Sequence, residues 1–164
     1  MIVIEAETLE KLSVKAKESK RKRINLNYHS GESDLLQRLL NAMEPSTYVR
    51  PHKHENPDKR EVFIILQGSI AAVIFDDDGK ITDYSIMKRE KGVFCVEVPP
   101  KTWHTLISLE ENSVMYEFKD GPYDVITDKQ FADWAPDENS CKAMEYLDKI
   151  KSAVCNWQLI KKEK

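Results

Sequence analysis

The sequence predicts a mainly β domain, a barrel or sandwich of short strands with helical segments before and after it. Three observations predict this class. Residues 46–119 fall into seven runs of strand character: Thr47–His54, Glu61–Leu66, Ile70–Phe75, Ile81–Lys88, Val93–Val98, His104–Leu109 and Val114–Phe118. Turn signals separate the runs, namely Asn56-Pro57-Asp58, Gln67-Gly68, the stretch Asp76 to Gly79, Lys91-Gly92 and Pro99-Pro100. Short runs at such close and even spacing bury their apolar faces only by closing sheet on sheet. Outside this stretch the period changes, and apolar residues recur every three or four positions.

Residues 1–45 open with a short β-like run, Met1–Glu5, and then take helical spacing at Leu9, Leu12 and Ala16. The basic run from Lys15 to Arg23 reads as a solvated helix end and turn, followed by the polar strip Asn25-Leu-Asn-Tyr-His29. Ser33-Asp34 reads as the cap of a second N-terminal helix over residues 35–43, stopped by Pro45. Within the β region, Gly68 stands between two strand-like runs and marks a tight hairpin. Residues 120–164 hold Phe131 and Trp134 as anchors, then a helix from near Ser140. Its apolar stripe is Cys141, Met144, Leu147, Ile150, Val154 and Trp157, which packs on the barrel's outer face or against a second copy of the chain. The expected organisation is one domain over 1–164: a helical extension (1–45), a β-barrel core (46–119) and a C-terminal segment with an amphipathic helix (120–164).

With 41% hydrophobic and 32% charged residues and a net charge of −3, the chain reads as an ordinary globular domain with no nucleic-acid partner. Three cysteines, Cys95, Cys141 and Cys155, show no Cys-x-x-Cys spacing, so neither a disulfide framework nor a thiolate zinc site is implied. Cys95, in mid-strand, reads as a small apolar core residue. The N-terminus is charged by its fifth residue, and no window approaches the roughly 20 apolar residues of a membrane span. The expected location is the cytoplasm, away from any membrane.

Chemistry concentrates in the histidines, of which there are four: His29, His52, His54 and His104. In a strand alternate side chains share a face, so His52 and His54 point at one place while Lys53 points away. Glu61 opens the next strand and His104 a later one, and a barrel curls such strand ends around a common interior. Three neutral imidazoles and a carboxylate suit a borderline divalent ion (zinc, iron, manganese, nickel or cobalt) and leave positions open for a ligand.

These residues resemble the cupin superfamily. Its first motif reads here as His52-x-His54, Glu61 and Gly68, and its second as Gly92, Pro99 and His104. The resemblance implies a cupin-type double-stranded β-helix, a jelly-roll barrel, with His52, His54, Glu61 and His104 as metal ligands. Three departures stand out. The gap from His54 to Glu61 is long, which keeps Glu55 as an alternative ligand; Lys101 replaces the usual glycine after the proline; and Ser108 falls where asparagine is usual. A narrower resemblance, to the WbuC-type cupins of surface-polysaccharide gene clusters, rests on the stretches Arg21 to His29, Leu36 to Met43, Tyr48 to His54, Gly121-Pro-Tyr123 and Phe131 to Glu138. It implies a metal-binding protein whose reaction is not fixed.

Extending the alternation backwards puts Tyr48 and Arg50 beside the histidines, as candidate substrate contacts, with Arg50 able to clamp a carboxylate or phosphate. His29 and Tyr123 are candidate acid–base groups. Trp103, next to His104, faces the other side of its strand. Three functions remain open. The first is a metal-dependent enzyme, an isomerase, lyase or oxygenase, acting on a small polar substrate such as a sugar or nucleotide sugar. The second is a metal-free nucleotide-sugar isomerase or epimerase, which the run Gln67 to Gly79 resembles. The third is a non-enzymatic small-ligand sensor. Exposed sheet edges and the last helix favour a homodimer.

Overall fold

The computed structural model describes the backbone of residues 1–162 and the side chains of residues 1–156. A helix, α1 (Ala6–Glu18), leads into ten strands: β1 (Arg23–Asn27), β2 (Leu36–Met43), β3 (His52–Lys53), β4 (Glu61–Gln67), β5 (Ile70–Phe75), β6 (Ile81–Met87), β7 (Cys95–Val98), β8 (Trp103–Ser108), β9 (Ser113–Asp120) and β10 (Gln130–Phe131). The helix α2 (Ala143–Lys162) follows them. The strands form two antiparallel five-stranded sheets, ordered β1-β2-β9-β4-β7 and β10-β3-β8-β5-β6.

The sheets face each other across a core of Met43, Phe63, Ile65, Ile70, Ala72, Leu106 and Met115. Their outer faces are covered too. In the first sheet Leu40, Ala42 and Val114 pack under Leu12 and Ala16 of α1, and Glu7 near its start and Lys15 and Lys17 near its end complement the helix dipole. In the second, Ala71, Val73 and Ile107 pack under Ala143, Leu147, Ile150 and Val154 of α2. The C-terminal stripe therefore packs on the barrel, as its period predicts, but Cys141 and Met144 are exposed, and Trp157 lies outside the described side chains. Trp103 projects away from His104 and meets Trp134 beneath the C-terminal segment.

The second N-terminal helix does not form. Residues 36–43 are a strand, paired with β1 on one side and along its whole length with β9 on the other. Leucine, alanine and methionine favour a helix locally, but a central strand buried on both faces takes the same composition, and tertiary pairing overrides propensity. Asp34 serves the turn instead, its carboxylate accepting the Leu36 N–H at 3.1 Å. The barrel's sheets thus begin at Arg23 rather than near residue 46.

The hairpin expected at Gly68 does not form: β4 and β5 lie in different sheets and do not pair, and the chain passes from one sheet to the other through a tight turn at Gly68. The φ of Gly68 is +73°, and a Cβ there would lie 2.8 Å from the Ser113 backbone, so only glycine fits. Cys95 corrects another expectation: β7 is the edge of its sheet, and the thiol is exposed.

Candidate metal centre

Three strands and one approach segment bring four side chains together. Glu61 opens β4 with Phe63 and Ile65 on its inward face. His104 and Leu106 share the inward face of β8, and His52 pairs with His104 across β3 and β8. Next to the second strand pair, His54 follows β3. One potential ligand atom from each of His52, His54, Glu61 and His104 lies within 4.8 Å of all the others, and all four residues are buried.

Each imidazole is oriented by the backbone. His52 Nδ1 donates to the Arg50 carbonyl at 3.0 Å, His104 Nδ1 to the Thr102 carbonyl at 2.9 Å, and His54 Nδ1 to the Asp128 carbonyl. A carbonyl only accepts, so every Nδ1 carries a proton and every Nε2 faces the centre. Glu61 lies between two of them, Oε2 at 2.8 Å from His104 Nε2 and Oε1 at 3.2 Å from His54 Nε2. A cation between Glu61 and His104 would replace this short contact.

Burial holds the His52 imidazole well below its usual range, helped by the positive charge of Lys129 and by His104, so it stays neutral. For Glu61 burial pushes the other way, but the bonds from His104 and His54 outweigh it and hold the carboxyl well below the usual range. Both groups are therefore in their metal-binding protonation states. The fit to a cation rests on a further observation: His52 Nε2 is buried and makes no hydrogen bond among the described residues, and His54 Nε2 meets only Glu61. An unsatisfied acceptor of this kind is costly unless something occupies it. The cluster fits a divalent metal.

Around it opens a cavity of about 640 Å³. His29 and Tyr123 line it. His29 Nδ1 lies 3.1 Å from both the N–H and the carbonyl oxygen of Arg38, which hold the ring at the cavity wall. Tyr48 and Arg50 do not line it. Residues 46–51 form no strand, so the alternation that placed these two beside the histidines breaks before Pro51. Tyr48 is buried under α2, where its ring meets Tyr146 and its hydroxyl donates to the Pro136 carbonyl at 2.8 Å. Arg50 donates to the Ala132 carbonyl at 2.8 Å and lies over Phe131. Glu55, the alternative carboxylate, pairs with Lys53 at 2.5 Å. Lys101 takes the left-handed conformation its missing glycine would take, φ +63°, and its N–H donates to the His54 carbonyl at 2.9 Å.

The sequence reading missed a second charged group. Lys59 and Lys119 are buried and hold the two oxygens of Asp128 at 2.8 and 2.6 Å. Asp128 thus carries His54 on its carbonyl while two lysines fix its carboxylate. Glu117 is buried as well, and burial pushes its carboxyl up, reinforced by the charge of Glu61. Inward alternation along β9 (Met115, Glu117, Lys119) was a signal for two of these residues. A backbone acceptor such as Asp128 leaves none. Arg21 and Arg23, read as part of a solvated turn, line the cavity and bind Glu138.

Residues 4–87 match a family described as a domain of unknown function, DUF6016. That is 84 of 164 residues, from α1 through β6, with His52, His54 and Glu61 among them. The chain belongs to the DUF6016 family. No curated protein matches it. Among solved structures, an uncharacterized conserved protein with a double-stranded β-helix domain from Klebsiella pneumoniae is similar, with a TM-score of 0.55 and 9% identity over 81% of this chain and 98% of that one. The capsular polysaccharide assembling protein CapF from Staphylococcus aureus follows at 0.52 and 18% identity, over 66% of this chain and 31% of CapF. An oxalate oxidase in complex with glycolate gives 0.51 at 11% identity, over 70% and 57% of the two chains. This DUF6016 chain thus spans about a third of CapF and just over half of the oxidase. At these identities the likeness concerns the fold, which is the cupin double-stranded β-helix. No helix among the described residues is long and apolar enough to cross a membrane.

Proposed function

We propose that the chain binds one divalent metal ion through His52, His54, Glu61 and His104, and presents it to a small polar ligand in the cavity. One observation carries this reading. Three imidazoles are locked by backbone carbonyls into the tautomer that turns Nε2 inward; His52 Nε2 has no partner among the described residues, and the other two meet only Glu61. Evolving three such second contacts has little purpose unless the inward nitrogens bind something. A divalent ion held there supplies Lewis acidity or redox capacity to a bound ligand. The protein's own part is to hold the four ligands and exclude water, with His29 and Tyr123 at the wall as the residues able to exchange a proton with the ligand.

The ligand class we favour is a sugar or nucleotide sugar of surface-polysaccharide metabolism, in the cytoplasm, with the chain acting as a homodimer. The resemblance to WbuC-type cupins supports this, as does a cavity wall rich in polar side chains.

Elemental analysis of protein purified without a His tag tests the metal. One equivalent is expected in the wild type and none in the His52→Ala/His104→Ala double variant. A wild type free of metal, with a melting temperature unmoved by chelator, would overturn the reading in favour of metal-free acid–base chemistry.

A further inference from the structure

Across the cavity from the histidines stands a polar wall that the metal cluster does not use. Asn41 on β2 and Glu117 on β9 line it, each 9% exposed, and Asn41 Nδ2 donates to Glu117 Oε2 at 3.3 Å. That bond orients the amide, because flipping it would set the amide oxygen against the carboxylate. Asn41 Oδ1 is left buried with no hydrogen-bond partner among the described residues. The wall therefore presents acceptors, and a ligand that meets it has to donate.

Charge narrows the class further. Of the charged residues that line the cavity, Glu32, Glu61, Glu117, Asp128 and Glu138 stand against Arg21, Arg23, Lys119 and Lys129, five carboxylates against four cations. A divalent ion on the histidine cluster turns this formal excess of one negative charge into an excess of one positive. Of the four cations, Lys129 is engaged by no ion pair or hydrogen bond among the described residues. A loaded cavity with a net positive charge and a free ammonium favours an anion.

We propose that the cavity binds an anionic, polyhydroxylated small molecule, with its hydroxyls donating to Asn41 and Glu117 and its carboxylate or phosphate facing Lys129. This rests on the metal reading above and names the ligand that such a centre would receive.

The test is calorimetric titration of the metal-loaded, full-length protein, with metal content measured on the same samples. The probes are glucuronate, galacturonate, glucose 6-phosphate, glucose, galactose and acetate. At least one of the three anionic sugars is expected to bind saturably, with its neutral counterpart and acetate at least tenfold weaker. Which anionic sugar binds separates carboxylate from phosphate. Lys129→Met is expected to abolish the preference for the anionic sugar, and Asn41→Ala to weaken that sugar about tenfold, both with one equivalent of metal retained. Lys129 makes no hydrogen bond or ion pair among the described residues, so its variant tests the idea even if Asn41→Ala folds poorly. The proposal is overturned if no probe binds the loaded protein, if anionic and neutral sugars bind alike, or if Lys129→Met keeps the preference. A wild type without metal removes the metal reading and this inference together, and the metal assay alone reports that outcome.

Discussion

The two ends of the barrel interior are built from the same strands and differ completely in chemistry. On β4 the inward positions run Glu61, Phe63, Ile65; on β8, His104 then Leu106; on β9, Lys119, Glu117, then Met115; on β2, Asn41 then Met43. A single step of two residues takes each strand from the polar cavity to the apolar floor. Alternation decides which residues face inward, whereas position along the strand decides what they do there. The floor holds by shape and area removed from water. At the other end every buried charge has to be matched by another, so that end is where loss of one group costs most.

The largest expected effect therefore comes from Asp128. Asp128→Ala leaves the buried Lys59 and Lys119 without their shared partner, and breaking such a pair costs about 3–5 kcal/mol. Chemical denaturation measures that loss. The substitution also frees the segment whose carbonyl orients His54, so metal affinity is expected to fall about 10–100-fold. The sign with pH follows from the same ion pairs. Burial acts to raise the Asp128 carboxyl, but Lys119 and Lys59 outweigh it and the net position is low. Its stabilisation is thus complete above the unfolded carboxylate value of about 3.9 and is lost only as pH falls further, through the lower folded value. A wild type and variant equally stable at neutral pH would remove the distinction between the two ends.

Met115→Ala breaks the floor instead. Truncating this buried side chain is expected to cost about 2–5 kcal/mol through lost contacts and the cavity left behind. Unlike the Asp128 variant, it should keep one equivalent of metal at wild-type affinity while folded. Metal loss proportionate to the loss of stability would mean that the floor and the polar end are one unit.

A smaller effect separates the ends by condition rather than by mutation. Metal present at a hundredfold excess over its dissociation constant stabilises by about 2.7 kcal/mol, which chelator should remove at neutral pH. Protons compete for the ligands, so the chelator-sensitive part shrinks as pH falls. Burial and Lys129 hold His52 low, and the bonds from His104 and His54 outweigh burial to hold Glu61 low. The share of this shrinkage that comes from His52 and Glu61 is therefore expected below the ordinary imidazole value of about 6.5, not at it. Melting curves with and without chelator from pH 8 to pH 5 measure this, and a difference that is already gone at pH 6.5 would contradict it.

What was legible in the sequence follows the same division. His52 and His54 declare themselves by alternation, and His104 and Glu61 by motif spacing, because a ligand's chemistry resides in its own side chain. The residues that hold the ligands are less visible. Asp128 orients His54 through a carbonyl that every residue possesses; Lys59 meets it from the loop before β4, and Lys119 from β9, where alternation shows the inward face but not the partner. Residues 36–43 misled for a related reason: burial on both faces erases the alternation that marks a strand, and leaves a composition that also suits a helix.

Tyr48 marks the boundary of that legibility and gives the smallest prediction. Alternation counted back from His52 puts its phenol in the cavity, but the chain between Thr47 and Pro51 is not a strand, and the ring lies on the other side of the sheet, under α2. Tyr48→Phe removes one hydrogen bond to the Pro136 carbonyl, a loss of about 1 kcal/mol. Because nothing in the cavity changes, metal content and ligand affinity are expected to match the wild type within twofold. A tenfold loss of ligand affinity with stability intact would return Tyr48 to the cavity wall, and with it the extended first strand that the structure replaces with an irregular segment.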